Sequence, residues 1–431
     1  MTNARVSSPS VRECNSRRAQ GLWTSGPGHR LSRKLTLGQV ALPHGRATDT
    51  WGLPLRTLAS SLAYLCGLTA LVVFGAGCRQ AQSSNSSQPR APHYKEEKVT
   101  FLAVGDIMLS RGVAGAIVRS RDRLLPFRRL DDLLRSTDFN FGNLESPISG
   151  NDRVNGHDLI FNAHTKDTVG LRSYNFQVLN LANNHALDQR AAGLQFSRKY
   201  LKDQGITCLG VGENLAEAWE PKTISINGVR IGFIGASYSS VNDGGAARND
   251  YVARIEDTER LRSAVAELKS QVDFIVVTMH AGIEYTRKPI KAQVDFAHAA
   301  IDYGADLVIG AHPHWIQTIE RYKDKYVFYS LGNFIFDQRQ PGTTEGLVLR
   351  LSLRKSAEVE PASSWPASAS PASSSAEAAQ PAEGLAVRTR LEQIELIPVI
   401  IERYSTPRMT SAAESKRILG TIGLSDRLIR P

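Results

Sequence analysis

Acidic, amide and imidazole side chains recur in this sequence just after short apolar runs. Asp106 follows VTFLAVG, and Asn143 and Glu145 close FNFGNLE. Asn183, Asn184 and His185 follow FQVLNLA, and His280 closes FIVVTMH. His312 and His314 share GAHPH, and Asn333 sits in SLGNF. Carboxylates bring charge and neutral imidazoles bring basic nitrogens, the donors that a hard or borderline divalent cation takes. Each residue alone has a plainer reading. Asp106 after a strand reads as a helix N-cap. His280 reads as a structural histidine, and Asn143 and Asn333, each behind a glycine, read as turn residues. His164 and His298 are assigned to structure or surface. GAHPH resists this treatment, because two histidines around a proline make poor core material. Together the strand ends point to a site for a divalent cation of the Mn, Mg, Fe or Zn type.

Such residues need elements that end at one place. The apolar runs alternate with helical patterns around 190–204, 256–270 and 290–303, the first and last ending at Gly205 and Gly304. Strand–helix alternation predicts parallel βαβ units, whose carboxyl ends gather ligands. Later strands lie closer together, in TISINGVRIGFIGAS and TIERYKDKYVFYSLGNFIF, with NG and KD turn signals that predict hairpins. The fold class is α/β, mixed or layered αββα. The folded domain spans 99–405. Within it, 356–386 is rich in Ala, Ser and Pro and reads as a disordered excursion at a hairpin tip. Residues 406–431 read as a C-terminal tail.

The net charge of +10 over 431 residues invites a nucleic-acid reading. Residues 1–57 hold nine Lys/Arg against two acids (Glu13 and Asp49), a net +7, which leaves +3 elsewhere. That basic segment reads as a disordered tail or a start assigned too far upstream, and no nucleic-acid partner is expected. Residues 58–77 carry no charge and are long enough to span a bilayer. With Arg56 before them and small residues at their end, they also fit a signal peptide. Gly75-Ala76-Gly77-Cys78 resembles a lipobox with Gly in place of the usual Leu, so 58–78 reads either as a signal peptide lipidated at Cys78 or as an uncleaved membrane helix. Ser-rich residues 79–98 then form a tether. Cys14, Cys66, Cys78 and Cys208 show no metal-binding spacing, and Cys208 reads as core.

VGDIMLSRGV, FNFGNLESPIS, NLANNHALDQ, MHAGIEY, GAHPHWIQ and YSLGNFIF resemble, in order, the motifs of CapA-like poly-γ-glutamate capsule proteins. The resemblance covers roughly residues 99–355 and the strand at 388–400. That family is similar to the calcineurin-like metallophosphoesterases. The resemblance implies a layered αββα sandwich of metallophosphoesterase type with mixed sheets. By position it implies one ion on Glu145, Asn184, His280 and His312, and another on Asp106, Glu145 and His314. It makes His185 a proton donor. Glu284 and Tyr285, from the family's own MHAGIEY signature, become an acid/base and a hydrogen-bond donor. Asn143, Asn183 and Asn333 become substrate-binding. Met108 stands where the parent pattern has a histidine ligand, so one tight and one weak ion are expected.

The family context implies a bacterial cell-envelope protein, membrane-anchored and facing outside the cytoplasm. Its partners would be an anionic surface polymer or its precursor and other membrane components of a capsule synthesis complex. Two functions follow. One is a role in polymer synthesis or export without required chemistry. The other is metal-dependent hydrolysis of a phosphoester or amide of the cell envelope. A nuclease reading rests on fold analogy alone.

Overall fold

A computed structural model describes residues 96–151, 159–239, 250–359 and 385–431. The expected tail 1–57, the segment 58–78 with Cys78, nearly all of the tether 79–98, and residues 360–384 of the expected insertion lie outside the described residues. Among the described residues, no helix is long and apolar enough to cross a membrane.

The strands are, in chain order, β1 (Glu97–Ile107), β2 (Phe139–Leu144), β3 (Phe176–Asn180), β4 (Thr207–Leu209), β5 (Lys222–Ile226), β6 (Val229–Ser237), β7 (Phe274–His280), β8 (Leu307–Ala311), β9 (Ile319–Tyr322), β10 (Lys325–Phe328), β11 (Asn333–Ile335), β12 (Glu345–Val359), β13 (Leu385–Glu402), β14 (Thr406–Met409) and β15 (Leu428–Ile429). One sheet runs β14-β13-β12-β1-β2-β3-β4, with β11 paired to the end of β1 and β15 to β13. The other runs β5-β6-β7-β8-β10-β9. In the first sheet β1 to β4 run parallel and β12, β13 and β14 extend it antiparallel; in the second the central strands are parallel and the edge strands β5 and β9 antiparallel. Both sheets are therefore mixed.

Side chains alternate across a strand, so each sheet has two faces to bury. Phe101 and Ala103 of β1, with Phe139 and Phe141 of β2, meet Ile231, Phe233 and Val276 of the second sheet. The Phe141 and Phe233 rings stack at 6.0 Å. The intervening Leu102 and Val104 point the other way, against Val113, Ile117, Leu194 and Leu201 of the helices Arg111–Ser120 and Arg190–Asp203. On the far side of the second sheet, Ile275, Val277 and Val308 pack on Leu261, Val265, Phe296 and Ala300. These come from the helices Thr258–Lys269 and Lys291–Tyr303. The result is the layered α/β sandwich that the alternating pattern predicts.

Local signals explain several boundaries. Asp257 caps Thr258–Lys269 by accepting the Arg260 N–H at 3.1 Å, and Leu261, Ala264, Val265 and Leu268 follow at helical spacing on its buried face. The NG and KD signals form tight hairpin turns, with positive φ at Asn227, Gly228, Lys323 and Asp324. After β10, however, the chain leaves the second sheet, and β11 pairs with β1 of the first. That crossover carries Asn333 to a place opposite Asp106.

Two expected boundaries differ. The ends of the expected insertion belong to the ladder, since β12 and β13 pair as far as Val359 and Leu385. Residues 406–431 are no tail. β14 and β15 both pair with β13, and the helix Ala412–Gly420 buries Ile418 and Leu419 in the inter-sheet core. Its start is fixed by a capping box in which Ser411 and Glu414 satisfy each other's backbone N–H groups.

Candidate metal centre

The two sheets deliver their polar residues to one end. From the first come Asp106 in β1, Asn143 in β2, Glu145 just past β2, Asn184 and His185 after β3, and Asn333 in β11. From the second come His280 at the end of β7 and His312 and His314 after β8. Asp106, Glu145 and His280 are fully buried, and His312 and His314 are 3% exposed. Ligand-type atoms of Glu145, His280 and His312 lie within 4.8 Å of one another, and so do those of Asp106, Glu145 and His314. Glu145 is common to both groups.

Glu145 carries the distinctive feature. Neither of its carboxylate oxygens has a hydrogen-bond partner, although both are buried. Its Oε1 faces Nε2 of His185 at 3.8 Å, of His280 at 3.8 Å and of His314 at 3.9 Å. A buried charge without a partner is strongly unfavourable, so buried carboxylates are paired, protonated or bound to metal. Burial, and then the nearby Asp106 carboxylate, hold the Glu145 carboxyl well above the ordinary carboxylate range. Burial first, and then neighbouring imidazoles, push His280 and His312 well below the ordinary histidine value. Both rings are therefore neutral at pH 7 and have basic nitrogens to offer. This donor set fits a divalent cation.

The sign of the shifts gives a measurable consequence. A carboxyl whose pKa is raised by the fold stays protonated where an ordinary glutamate has ionised, so an arriving cation must displace its proton. Loading manganese should release protons at a pH where an ordinary glutamate would release none, and apparent affinity should fall as pH drops. Calorimetric titrations in buffers of different ionisation enthalpy read this directly; zero release would show Glu145 to be ionised beforehand.

The second layer of contacts orients the ligands. His280 Nδ1 lies 3.1 Å from Asn143 Nδ2, and its Nε2 lies 2.7 Å from Asn184 Oδ1 and 3.1 Å from His312 Nδ1. His314 Nδ1 lies 2.9 Å from Asn333 Oδ1, which leaves its Nε2 for the cluster. His312 and His314 hold positive φ values of 100° and 57°. Residues other than glycine rarely adopt such φ, and these two turn the GAHPH backbone into the cluster.

The three asparagines expected to bind substrate each have partners in the scaffold. Asn143 donates to Asp106 and accepts from Asn180 at 2.9 Å. Asn183 donates to the Leu144 carbonyl and accepts the His185 N–H. Asn333 donates to Gln338 and the Thr343 carbonyl. All three are buried with their amide groups committed. These contacts brace the scaffold around the cluster.

His185 lies at the edge of the cluster, 6% exposed. Its Nδ1 is 2.8 Å from Asp188 Oδ2, and its ring stacks on Phe161 at 3.8 Å. Sequence reasoning missed Asp188, although an acid three residues after the histidine in NNHALD was a usable signal. It also missed Asn180. Glu284 is exposed and Tyr285 half-buried, both outside the two ligand groups. The Tyr285 hydroxyl accepts from Gln338 at 3.4 Å, and its ring is 6.3 Å from that of His314. Burial first, and then Glu284, push the Tyr285 phenol up to about 12. Met108 is wholly buried in the apolar core, its Sδ accepting the Ser110 N–H at 3.1 Å.

A family model described as "Bacterial capsule synthesis protein PGA_cap" matches residues 100–338. "Capsule biosynthesis protein CapA" of Bacillus anthracis is 33% identical over 270 residues, 61% of this chain and 66% of that protein. "PGA biosynthesis protein CapA" of Bacillus subtilis (strain 168) is 32% identical over 279 residues, 64% of this chain and 73% of that one. Among solved structures, the Haemophilus influenzae NAD nucleotidase aligns over 76% of this chain and 62% of its own, with a TM-score of 0.39 and 11% identity. A putative 5'-nucleotidase from Staphylococcus aureus aligns over 75% of this chain and 58% of its own, with a TM-score of 0.40 and 17% identity.

Proposed function

This chain belongs to the bacterial capsule synthesis protein family PGA_cap, and from that membership we propose that it takes part in making or exporting a poly-γ-glutamate capsule through a divalent-cation centre. The observation that carries the centre is Glu145, buried with both oxygens unpartnered between two groups of donors. Glu145, Asn184, His280 and His312 would hold one ion. Asp106, Glu145 and His314 would hold the other. With Met108 turned into the core, the second ion has fewer ligands and binds more weakly.

A cation bound there supplies Lewis acidity and a nucleophile at neutral pH. The chain's own residues supply the rest. His185, oriented by Asp188, gives a proton to a leaving group from the edge of the centre. Tyr285, with its phenol near 12, stays protonated and acts as a hydrogen-bond donor at the rim. Glu284 beside it is open to solvent and available as an acid/base. We place the protein at the cell envelope, facing outward, with the apolar run ending at Cys78 as its anchor and other membrane components of the capsule machinery as partners.

The test is hydrolysis of a generic phosphodiester and of a γ-glutamyl amide by the full chain with Mn²⁺. His312→Ala should lower a wild-type rate by roughly a hundredfold or more, since it removes a ligand. Equal rates in the two proteins would remove the hydrolytic reading. A wild type that binds the metal yet turns over neither compound would favour the second reading, a cation-dependent assembly role. The ligand-poor second site favours that reading.

A further inference from the structure

A groove of about 640 Å³ opens beside the cluster, and none of its lining residues belongs to the two ligand groups. It is lined by Arg111, Arg119, Arg339 and Arg403, with Asp337 as its acid. Three separate stretches build it: the helix that begins at Arg111, the loop after β11, and the turn between β13 and β14. Asp337 is already committed, to the Arg111 guanidinium and to the Gly112 N–H at 2.8 Å. Arg119, Arg339 and Arg403 have no acidic partner among the described residues. Arg339 instead lies over the Tyr404 ring, 4.3 Å from its centroid. The groove thus presents three uncompensated guanidinium groups to solvent.

Its connection to the cluster is direct. The Arg111 guanidinium lies over Phe161 at 4.6 Å and over Phe336 at 5.8 Å. Those rings pack against His185 and His314 at 3.8 and 4.8 Å. Gln338, on the groove wall, accepts from Asn333 and donates to the Tyr285 hydroxyl. One layer of side chains therefore separates the groove from the histidines.

We infer that this groove binds a segment of a polymer bearing a carboxylate on every unit, and so lays the chain beside the cluster. The inference rests on the capsule reading above for the polymer's identity, poly-γ-glutamate, and on the groove alone for its charge. Guanidinium forks match carboxylates two oxygens at a time, and several spaced along an open groove suit a repeating anion better than a single one. The weak overall charge outside residues 1–57 makes such local recognition necessary.

The experiment measures binding of a short labelled γ-linked glutamate oligomer to the full chain, with manganese content measured on the same samples. The variant combines Arg119→Ala, Arg339→Ala and Arg403→Ala, all exposed and none a metal ligand. Wild type should bind with an affinity that falls with salt, and the variant should bind about tenfold more weakly or worse with its manganese content unchanged. The matching Arg→Lys variant should retain part of the affinity. Equal binding by wild type and the Ala variant would overturn the inference. So would wild-type binding no stronger than that of the neutral γ-linked glutamine oligomer. Full displacement by inorganic phosphate at equal concentration would also overturn it, by reducing the groove to a simple anion site. A wild type that binds the oligomer in this way but holds no manganese would sink the metal centre and leave the groove standing.

Discussion

Glu145→Gln should abolish binding of both cations while leaving the metal-free protein at least as stable as wild type. Glutamine keeps the size and loses the charge. Glu145 belongs to both donor groups, so its loss damages both sites at once. In the metal-free protein burial and then Asp106 oppose its ionised form, and glutamine, which has no proton to take up, avoids that cost. The two effects separate in a melting experiment. Manganese at about one hundred times its dissociation constant should stabilise wild type by about 2.7 kcal/mol, or roughly 5 °C. It should leave the variant where it was. A variant that still gains stability from manganese would place the cation elsewhere.

The largest loss of stability is expected from Gly105→Ala, directly before Asp106. A Cβ at this position would stand 1.8 Å from the Gly332 carbonyl oxygen, which is backbone and has no rotamer to adopt. That carbonyl accepts the Asp106 N–H at 3.1 Å and belongs to the crossover that brings Asn333 to the site. Relief would have to come from pushing β11 away from β1. Gly310→Ala meets the same obstacle at 2.0 Å from the Tyr329 carbonyl oxygen, beneath His312. Each change should cost about 3–5 kcal/mol and lose the metal together with the fold. Denaturant unfolding monitored alongside manganese content checks this. A variant with wild-type stability would mean that the strands are less closely packed than described.

Much of the site was legible because strand ends are legible. Apolar runs of five to seven residues that break into Asp, Glu, Asn or His mark β2, β3, β7 and β8, and parallel topology brings such ends together. What each asparagine does was not legible. Asn143, Asn183 and Asn333 occupy the same kind of position as Asn184, and only their partners show that they brace the cluster. Those partners come from distant segments, to which no local spacing points. Asp188 was legible but overlooked, since its partner His185 is three residues away.

The fold divides in the same way. The helices and the two tight hairpin turns follow from periodicity and turn chemistry. The path of the chain after β10 does not, because a turn signal says that a strand reverses and not which sheet the next strand joins. The segment 406–431 was misread because its strands are short and find their stability only on β13. The Ser411/Glu414 capping box was the available sign that a helix follows.

The groove was invisible in the sequence for a related reason. Arg111 and Arg119 share one helix, but Arg339 and Arg403 lie far from it along the chain, and only the packing of the loop after β11 and the turn between β13 and β14 beside that helix gathers the four. Their charge is lost in a composition dominated by residues 1–57.

The central claim is that two sheets converge on a cation centre around Glu145. Its most direct test is a manganese titration of the full, chelator-treated chain, with bound metal counted by elemental analysis. The account predicts one tightly held ion per chain and a second that fills only at higher concentration. A chain that retains no metal at any concentration would contradict it.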